Sequence, residues 1–70
     1  MIEALTLRLD HADPKRLIYR EIKPWLRANG LRFIDQYTYT LAGRKLLITF
    51  MDIDEEFKTW FLINWGGDEV

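Results

Sequence analysis

The chain has 70 residues, of which 49% are hydrophobic and 14% aromatic, and its formal net charge at pH 7 is −1. This length predicts one small domain, residues 1–70, with a marginal core, and the lack of cysteine excludes a disulfide framework. No apolar run approaches the length of a membrane helix and no signal peptide opens the sequence. We therefore expect a cytoplasmic protein without a membrane partner.

The first 30 residues predict a strand followed by a helix. Residues 2–9 predict the strand, because Leu5, Leu7 and Leu9 alternate with Thr6 and Arg8. The Asp-Pro pair at 13–14 suits the start of a helix, and the Asn-Gly pair at 29–30 suits its end. Pro24 lies inside this helix and is expected to kink or split it near Lys23, because proline has no backbone N–H.

Two sides of the predicted helix differ in character. An α-helix turns by about 100° per residue, which places the residues expected to pack on a sheet on one side. These residues are Ile18, Ile22, Trp25, Leu26 and Asn29. The opposite side carries four cations, Arg16, Arg20, Lys23 and Arg27, which we call the basic stripe. This stripe predicts either a solvated face or a site for an anionic partner. Such a partner would be a nucleic-acid backbone or an acidic protein surface.

Residues 31–52 predict two antiparallel strands joined by a turn at Ala42-Gly43. Residues 31–41 alternate with period two, and in residues 45–52 the apolar Leu46, Ile48 and Phe50 fall on one face. The expected register places Tyr39 opposite Leu46, Tyr37 opposite Ile48 and Asp35 opposite Phe50. Asp35 would then point inward, where a carboxylate needs a hydrogen-bond partner.

The segment after the acidic run Asp52–Glu56 has two interpretations. A helix could begin at Asp54, since acidic side chains stabilise the positive end of a helix. A strand over Phe57–Trp65 is favoured, because the residue types suit a strand and a turn at Ile53–Glu56 matches apolar residues across it. The expected fold is α+β: one helix on a mostly antiparallel four-stranded sheet in the order β-α-β-β-β. The alternative order is β-α-β-β-α.

The strand interpretation leaves one apolar sheet face that the helix does not cover. Five residues form the predicted contact on this face: Ile34, Leu47, Met51, Trp60 and Leu62. A patch this apolar is expected to bind another protein or a second copy of the chain, giving a homodimer. Under the helical alternative, the same residues would be ordinary core.

No catalytic, cofactor or metal-binding signature is found in the sequence. The acidic run lacks the glycine and the regularly spaced oxygen ligands of a calcium-binding loop. Asp10 and His11 could in principle hold a metal or exchange a proton, as in a metal-dependent nuclease. A polar loop before a helix explains the pair better. We therefore predict no catalytic residues, no cofactor and no metal site.

The sequence thus predicts a small non-enzymatic protein-binding module that acts through the apolar face as a homodimer. A regulator, adaptor or inhibitor of the kind that phages carry would suit such a chain. The first alternative is a nucleic-acid-binding protein that uses the basic stripe, and the second is the metal-dependent nuclease. The acidic run Asp52–Glu56 weakens the nucleic-acid alternative, because it makes the chain dipolar rather than basic throughout.

Overall fold

The computed structural model describes all residues, 1–70. Its elements are β1 (Ile2–Asp10), helix α1 (residues 14–28), β2 (Tyr37–Ala42), β3 (Lys45–Ile53), helix α2 (Glu55–Trp65) and β4 (Asp68–Glu69). The predicted α+β class with a four-stranded antiparallel sheet is confirmed. The fourth strand, however, is the two-residue β4, and the order is β-α-β-β-α-β.

The strands lie in the order β2-β3-β1-β4, and every neighbouring pair is antiparallel. This connectivity is the split βαβ, or ferredoxin-like, arrangement with a very short last strand. Both helices pack on one face, because Ile22 of α1 and Phe61 of α2 join Phe50 of β3 in a single core cluster. No element covers the other face, which we call the open face.

The prediction of a strand over Phe57–Trp65 is wrong, and the helical alternative is right. The Asp54 side chain caps α2 by accepting a hydrogen bond from the Phe57 backbone N–H at 2.7 Å. Two glutamates follow in the first turn, where their charge favours the helix dipole. Gly66, at a φ of 75°, takes the left-handed conformation that ends the helix.

Aromatic packing between the helices holds α2 in place. Trp25 of α1 lies 5.8, 5.9 and 6.1 Å, between ring centroids, from Phe57, Phe61 and Trp65 respectively. These three residues are four apart and so share one helical face. Each such pair adds about 0.5–1.5 kcal/mol beyond the area that it buries. In an extended strand, Phe57, Phe61 and Trp65 would lie too far apart for all three rings to contact Trp25.

Strand β2 begins at Tyr37, later than predicted. Its register places Tyr37 opposite Phe50 and Tyr39 opposite Ile48, which is two residues away from the predicted pairing. Because the shift is even, the predicted side chains still face the core. Residues 31–36 form a loop in which Asp35 is exposed, so the predicted inward carboxylate is also wrong.

The ends of α1 follow the predicted signals. Asp13 accepts a hydrogen bond from the Arg16 backbone N–H at 3.1 Å, as an N-cap residue does. Gly30, at a φ of 83°, allows the Leu31 N–H to reach the Leu26 carbonyl at 3.0 Å. That bond is typical of a Schellman motif, and it satisfies a carbonyl that the helix end would leave free.

The middle of α1, Leu17–Ile22, is a π-helix between two α-helical pieces. The buried row of α1 is spaced by four residues and consists of Pro14, Ile18, Ile22 and Leu26. In an α-helix, each residue of this row would be rotated by about 40° around the helix axis from the one four positions before it. The π-helix has a wider turn, in which the Lys23 N–H is bonded to the Ile18 carbonyl five residues back. This wider turn offsets the rotation and keeps the four residues in one row. Pro24 follows directly, where the bonding changes from π-helical to α-helical at Lys23, and the helix continues to Ala28 without the predicted split.

Candidate protein-binding site

The five residues of the predicted apolar face do not share one surface. Leu47 and Met51 lie half-buried on the open face. Trp60 and Leu62 belong to α2 on the other side of the sheet, where Trp60 is 55% exposed and Leu62 packs against the core. Ile34 lies in the loop before β2. The predicted single apolar face is therefore wrong, because a helix replaces the strand that was expected to complete it.

The basic stripe divides into two rows, because the four-residue spacing of α1 keeps residues four apart in line. Arg16 and Arg20 form an exposed row on the solvent side. The neighbouring row faces strand β2, and we call it the edge row: Lys15, Tyr19, Lys23 and Arg27. Tyr19 is hydrogen-bonded to Tyr39 of β2, with 2.9 Å between the hydroxyl oxygens.

Three aromatic rings surround Lys23 and form what we call the aromatic cage: Tyr19, Phe33 and Tyr39. The Lys23 Nζ lies 4.2 Å from the ring centroid of Phe33, 5.0 Å from that of Tyr39 and 5.2 Å from that of Tyr19. The attraction of an ammonium to the faces of the rings keeps the cage together. Tyr19 and Phe33 remain 46% and 44% exposed, so the cage forms part of the surface.

The two tyrosine hydroxyls of the cage act as hydrogen-bonding groups. The hydrogen bond with Tyr39 raises the pKa of Tyr19 above its ordinary value of 10, and the nearby lysines Lys23 and Lys15 only partly oppose this. Tyr19 is therefore protonated at neutral pH. It offers a partner a neutral phenol beside the positive charges of the edge row.

The loop that carries Phe33 has an unusual backbone. Ile34 has a φ of 74°, a left-handed conformation that costs a β-branched residue about 1–2 kcal/mol. Its N–H donates to the Tyr37 carbonyl at 2.8 Å. The Gln36 side chain accepts from the Arg32 N–H at 3.0 Å and so closes the loop. These bonds hold Phe33 over Lys23 and leave Ile34 65% exposed.

Strand β2 lies at one edge of the sheet, and part of its outer side has no partner. The Tyr37 carbonyl points outward, because it accepts the bond from the loop at Ile34. Backbone groups alternate in direction along an antiparallel strand, so those of Tyr39 and Leu41 also point outward. No other element pairs with them. We call these N–H and C=O groups of Tyr39 and Leu41 the free edge.

Asp10 and His11 are exposed in the turn before α1. The His11 Nδ1 accepts a hydrogen bond from the Asp13 backbone N–H at 2.9 Å, and the His11 N–H donates to the Arg44 carbonyl at 2.9 Å. No group of three histidine, cysteine or acidic side chains is arranged to hold a metal ion. The bonds formed by His11 are those of a polar turn that positions the helix.

Sequence reasoning missed the aromatic cage. It assigned Tyr39 and Phe33 to the core face of one strand, although Phe33 lies in a loop. The four-residue repeat of Lys15, Tyr19 and Lys23 was a usable signal, because residues four apart lie on one side of a helix.

No protein-family model, curated protein or solved structure matches this chain. Neither helix has the length and apolar character that a membrane crossing requires. Because one fold can support many functions, the functional argument depends on the surface itself.

Proposed function

We propose that this protein is a small non-enzymatic protein-binding module that binds through the aromatic cage and the edge row. One observation carries the proposal: two rare backbone features meet at this exposed surface. Tyr19 lies within a π-helical segment and Ile34 has a positive φ. Such features are costly and occur often at functional sites. If the loop served only to connect α1 with β2, a glycine at position 34 would avoid the cost of the positive φ.

The chemistry of the surface favours a protein partner with negative charge. Tyrosine, phenylalanine and arginine are common in the energetically important parts of protein interfaces. The molecule has two ion pairs, Arg8 with Asp68 and Lys58 with Glu69, and neither involves the edge row. Its exposed cations, Lys15 and Arg27, are therefore available to a partner. A role as regulator, adaptor or inhibitor is consistent with such a surface, and the cytoplasmic location and the homodimer stay predictions from the sequence alone.

The nucleic-acid alternative is less well supported by the same residues. Single-stranded nucleic acids bind where bases stack on free aromatic faces beside cations. In the aromatic cage, the Lys23 ammonium lies over the faces of Phe33, Tyr39 and Tyr19. Those faces are occupied from within the chain, so a base would first have to displace the lysine.

Selection of displayed peptides against the folded protein tests the proposal. We expect acidic peptides that bind the wild type and lose about tenfold or more in affinity with Phe33→Ser, as truncation of an interface anchor does. Ile63→Ser is the matched control, because Ile63 is an exposed apolar residue on α2, away from the cage. The control should bind like the wild type.

Two outcomes would count against the proposal. Peptides that bind Phe33→Ser as tightly as the wild type would place the binding surface elsewhere. Salt-sensitive binding of oligonucleotides that is lost with Arg16→Ala and Arg20→Ala together, but kept with Phe33→Ser, would favour the nucleic-acid alternative.

A further inference from the structure

We infer that the partner binds as an extended acidic segment that pairs with the free edge of β2 and adds a strand to the sheet. This inference rests on the proposed function and goes further, because it names the conformation and the sequence pattern of the partner. Strand addition is a common way to recognise a peptide: backbone bonds supply affinity and alternate side chains supply specificity.

The free edge limits where such a strand can bind. Tyr39 and Leu41 present outward N–H and C=O groups, while the outward carbonyl of Tyr37 is used by the loop. Phe33 also forms an isolated parallel bridge with Tyr37. The loop therefore closes one end of the edge. The added strand would run over Tyr39–Ala42, with one end against the exposed ring of Phe33.

The surroundings of the edge predict which side chains the partner carries. Side chains of an added strand alternate between the two sheet faces. On the helix face they would meet the edge row, with the cations Lys15, Lys23 and Arg27. On the open face they would lie beside Thr38 and Thr40, which are exposed. The geometry therefore points to a segment with Asp or Glu at every second position and Thr or Val between them.

A second copy of the chain fits this edge poorly. Pairing of β2 with β2 would bring two edge rows, each with three cations, to the same face of one continuous sheet. Like charges at an interface are repulsive, and lysines near a short edge strand are a known protection against self-pairing. An acidic strand from a different protein relieves this repulsion instead of adding to it.

The test uses synthetic eight-residue peptides with the uniformly ¹⁵N-labelled full chain. The probe peptide alternates Glu with Val or Thr, and its control has the same composition with the glutamates in one block. In two further versions of the probe peptide, every second backbone amide is N-methylated, and the two versions differ in which alternate set of amides carries the methyl groups. We expect one N-methylated set to bind about tenfold or more weakly than the other, and the block control to bind weakly. The amides of Tyr39 and Leu41 should become protected from hydrogen exchange.

Equal binding of the two N-methylated sets, or no added protection at Tyr39 and Leu41, would overturn strand pairing. If an acidic peptide still binds and Phe33→Ser still abolishes binding, the proposed function survives that failure. If no acidic peptide binds at all, both are wrong.

A variant of the protein gives a second, independent measurement. Leu41→Pro removes one outward N–H at a position where an edge strand tolerates proline, and Leu41→Ala is its control. We expect the proline variant to lose about tenfold in peptide affinity and the alanine variant to keep it. Unchanged affinity of a folded proline variant would contradict the inference. If the proline variant does not fold, the comparison of the two N-methylated peptides decides whether the partner pairs with β2 as a strand.

Discussion

Lys23 and Ile34 are both in unusual local states. Lys23 is half-buried among three rings, and Ile34 is a β-branched residue with a positive φ. The backbone conformation of Ile34 costs free energy and persists because neighbouring hydrogen bonds fix it, whereas the Lys23 ammonium is attracted to the faces of the rings around it. The two residues lie on either side of Phe33, Lys23 in contact with its ring and Ile34 next to it in sequence. The position of that ring is therefore determined at the scale of single residues.

Replacement of Ile34 tests the strain. Ile34→Gly should raise the free energy of unfolding by about 1 kcal/mol relative to Ile34→Ala, because only glycine takes a positive φ without a steric cost. Both variants remove the same exposed side chain, so the comparison isolates the backbone. Urea unfolding with an unchanged m-value measures the difference. Equal midpoints would show that the loop is not strained at this residue.

The pH dependence of stability tests the burial of Tyr37. Burial raises the pKa of Tyr37 above 10, although the charge of Arg27 partly opposes it. As the pH rises past about 10, the unfolded chain loses its proton first, so the free energy of unfolding falls. We expect the contribution of Tyr37 to stability to be constant below that pH and to fall above it, so that the decrease is shallower in Tyr37→Phe. A slope that this substitution leaves unchanged would contradict the assignment.

At the scale of elements, α2 shows how packing overrides a residue preference for strand. Its residues match apolar positions of β3 as a strand, but as a helix they bury Phe61 against Phe50, with 5.0 Å between ring centroids. The helix also gains the Asp54 cap. Asp52, at a φ of 55°, redirects the chain so that Ile53 joins the core and α2 can begin on the helix side.

A pair of substitutions distinguishes the two arrangements of residues 55–65. Phe61→Ala should lower the free energy of unfolding by about 3–5 kcal/mol, since Phe61 is fully buried. Ile63→Ala should change it by less than about 0.5 kcal/mol, because Ile63 is 78% exposed. In the strand arrangement Ile63 would face Leu46 in the core, and both substitutions would be severe. Urea unfolding followed by circular dichroism makes the comparison.

At the scale of the whole molecule, charge is distributed unevenly. The cations of the edge row lie beside β2, whereas Asp52, Asp54, Glu55 and Glu56 lie where β3 passes into α2. The net charge of −1 hides this separation. A dipolar surface steers a charged partner into one orientation, and it does so most strongly at low salt.

Light scattering tests the predicted homodimer. We expect a monomer at low ionic strength, because the edge rows repel each other and the open face presents only Leu47 and Met51 as large apolar groups. Leu62→Glu is not a suitable test, because it would disturb the core that Leu62 packs against. Leu47→Lys is the suitable variant, with Ile63→Lys as its control, because Ile63 is exposed on α2 at the other face of the sheet. A dimer that only Leu47→Lys dissociates would support the predicted homodimer.

The sequence by itself determined the local features of this protein. Asp13, Gly30 and the alternation of β1 act over a few residues, so the first strand and the limits of α1 could be read directly. The even spacing of apolar residues in β2 and β3 also fixed which face is buried, although the register differs by two. The basic stripe was recognised for the same reason.

Only the tertiary structure decided the rest, because the deciding contacts join residues distant in the chain. Phe57–Trp65 satisfies a strand pattern and a helix pattern alike, and the rings around Trp25 select the helix. The cage depends on Lys23 meeting Phe33 and Tyr39 across a loop. The free edge exists because β2 lies at one edge of the sheet and Phe57–Trp65 does not form a strand. The order of strands depends on the whole fold.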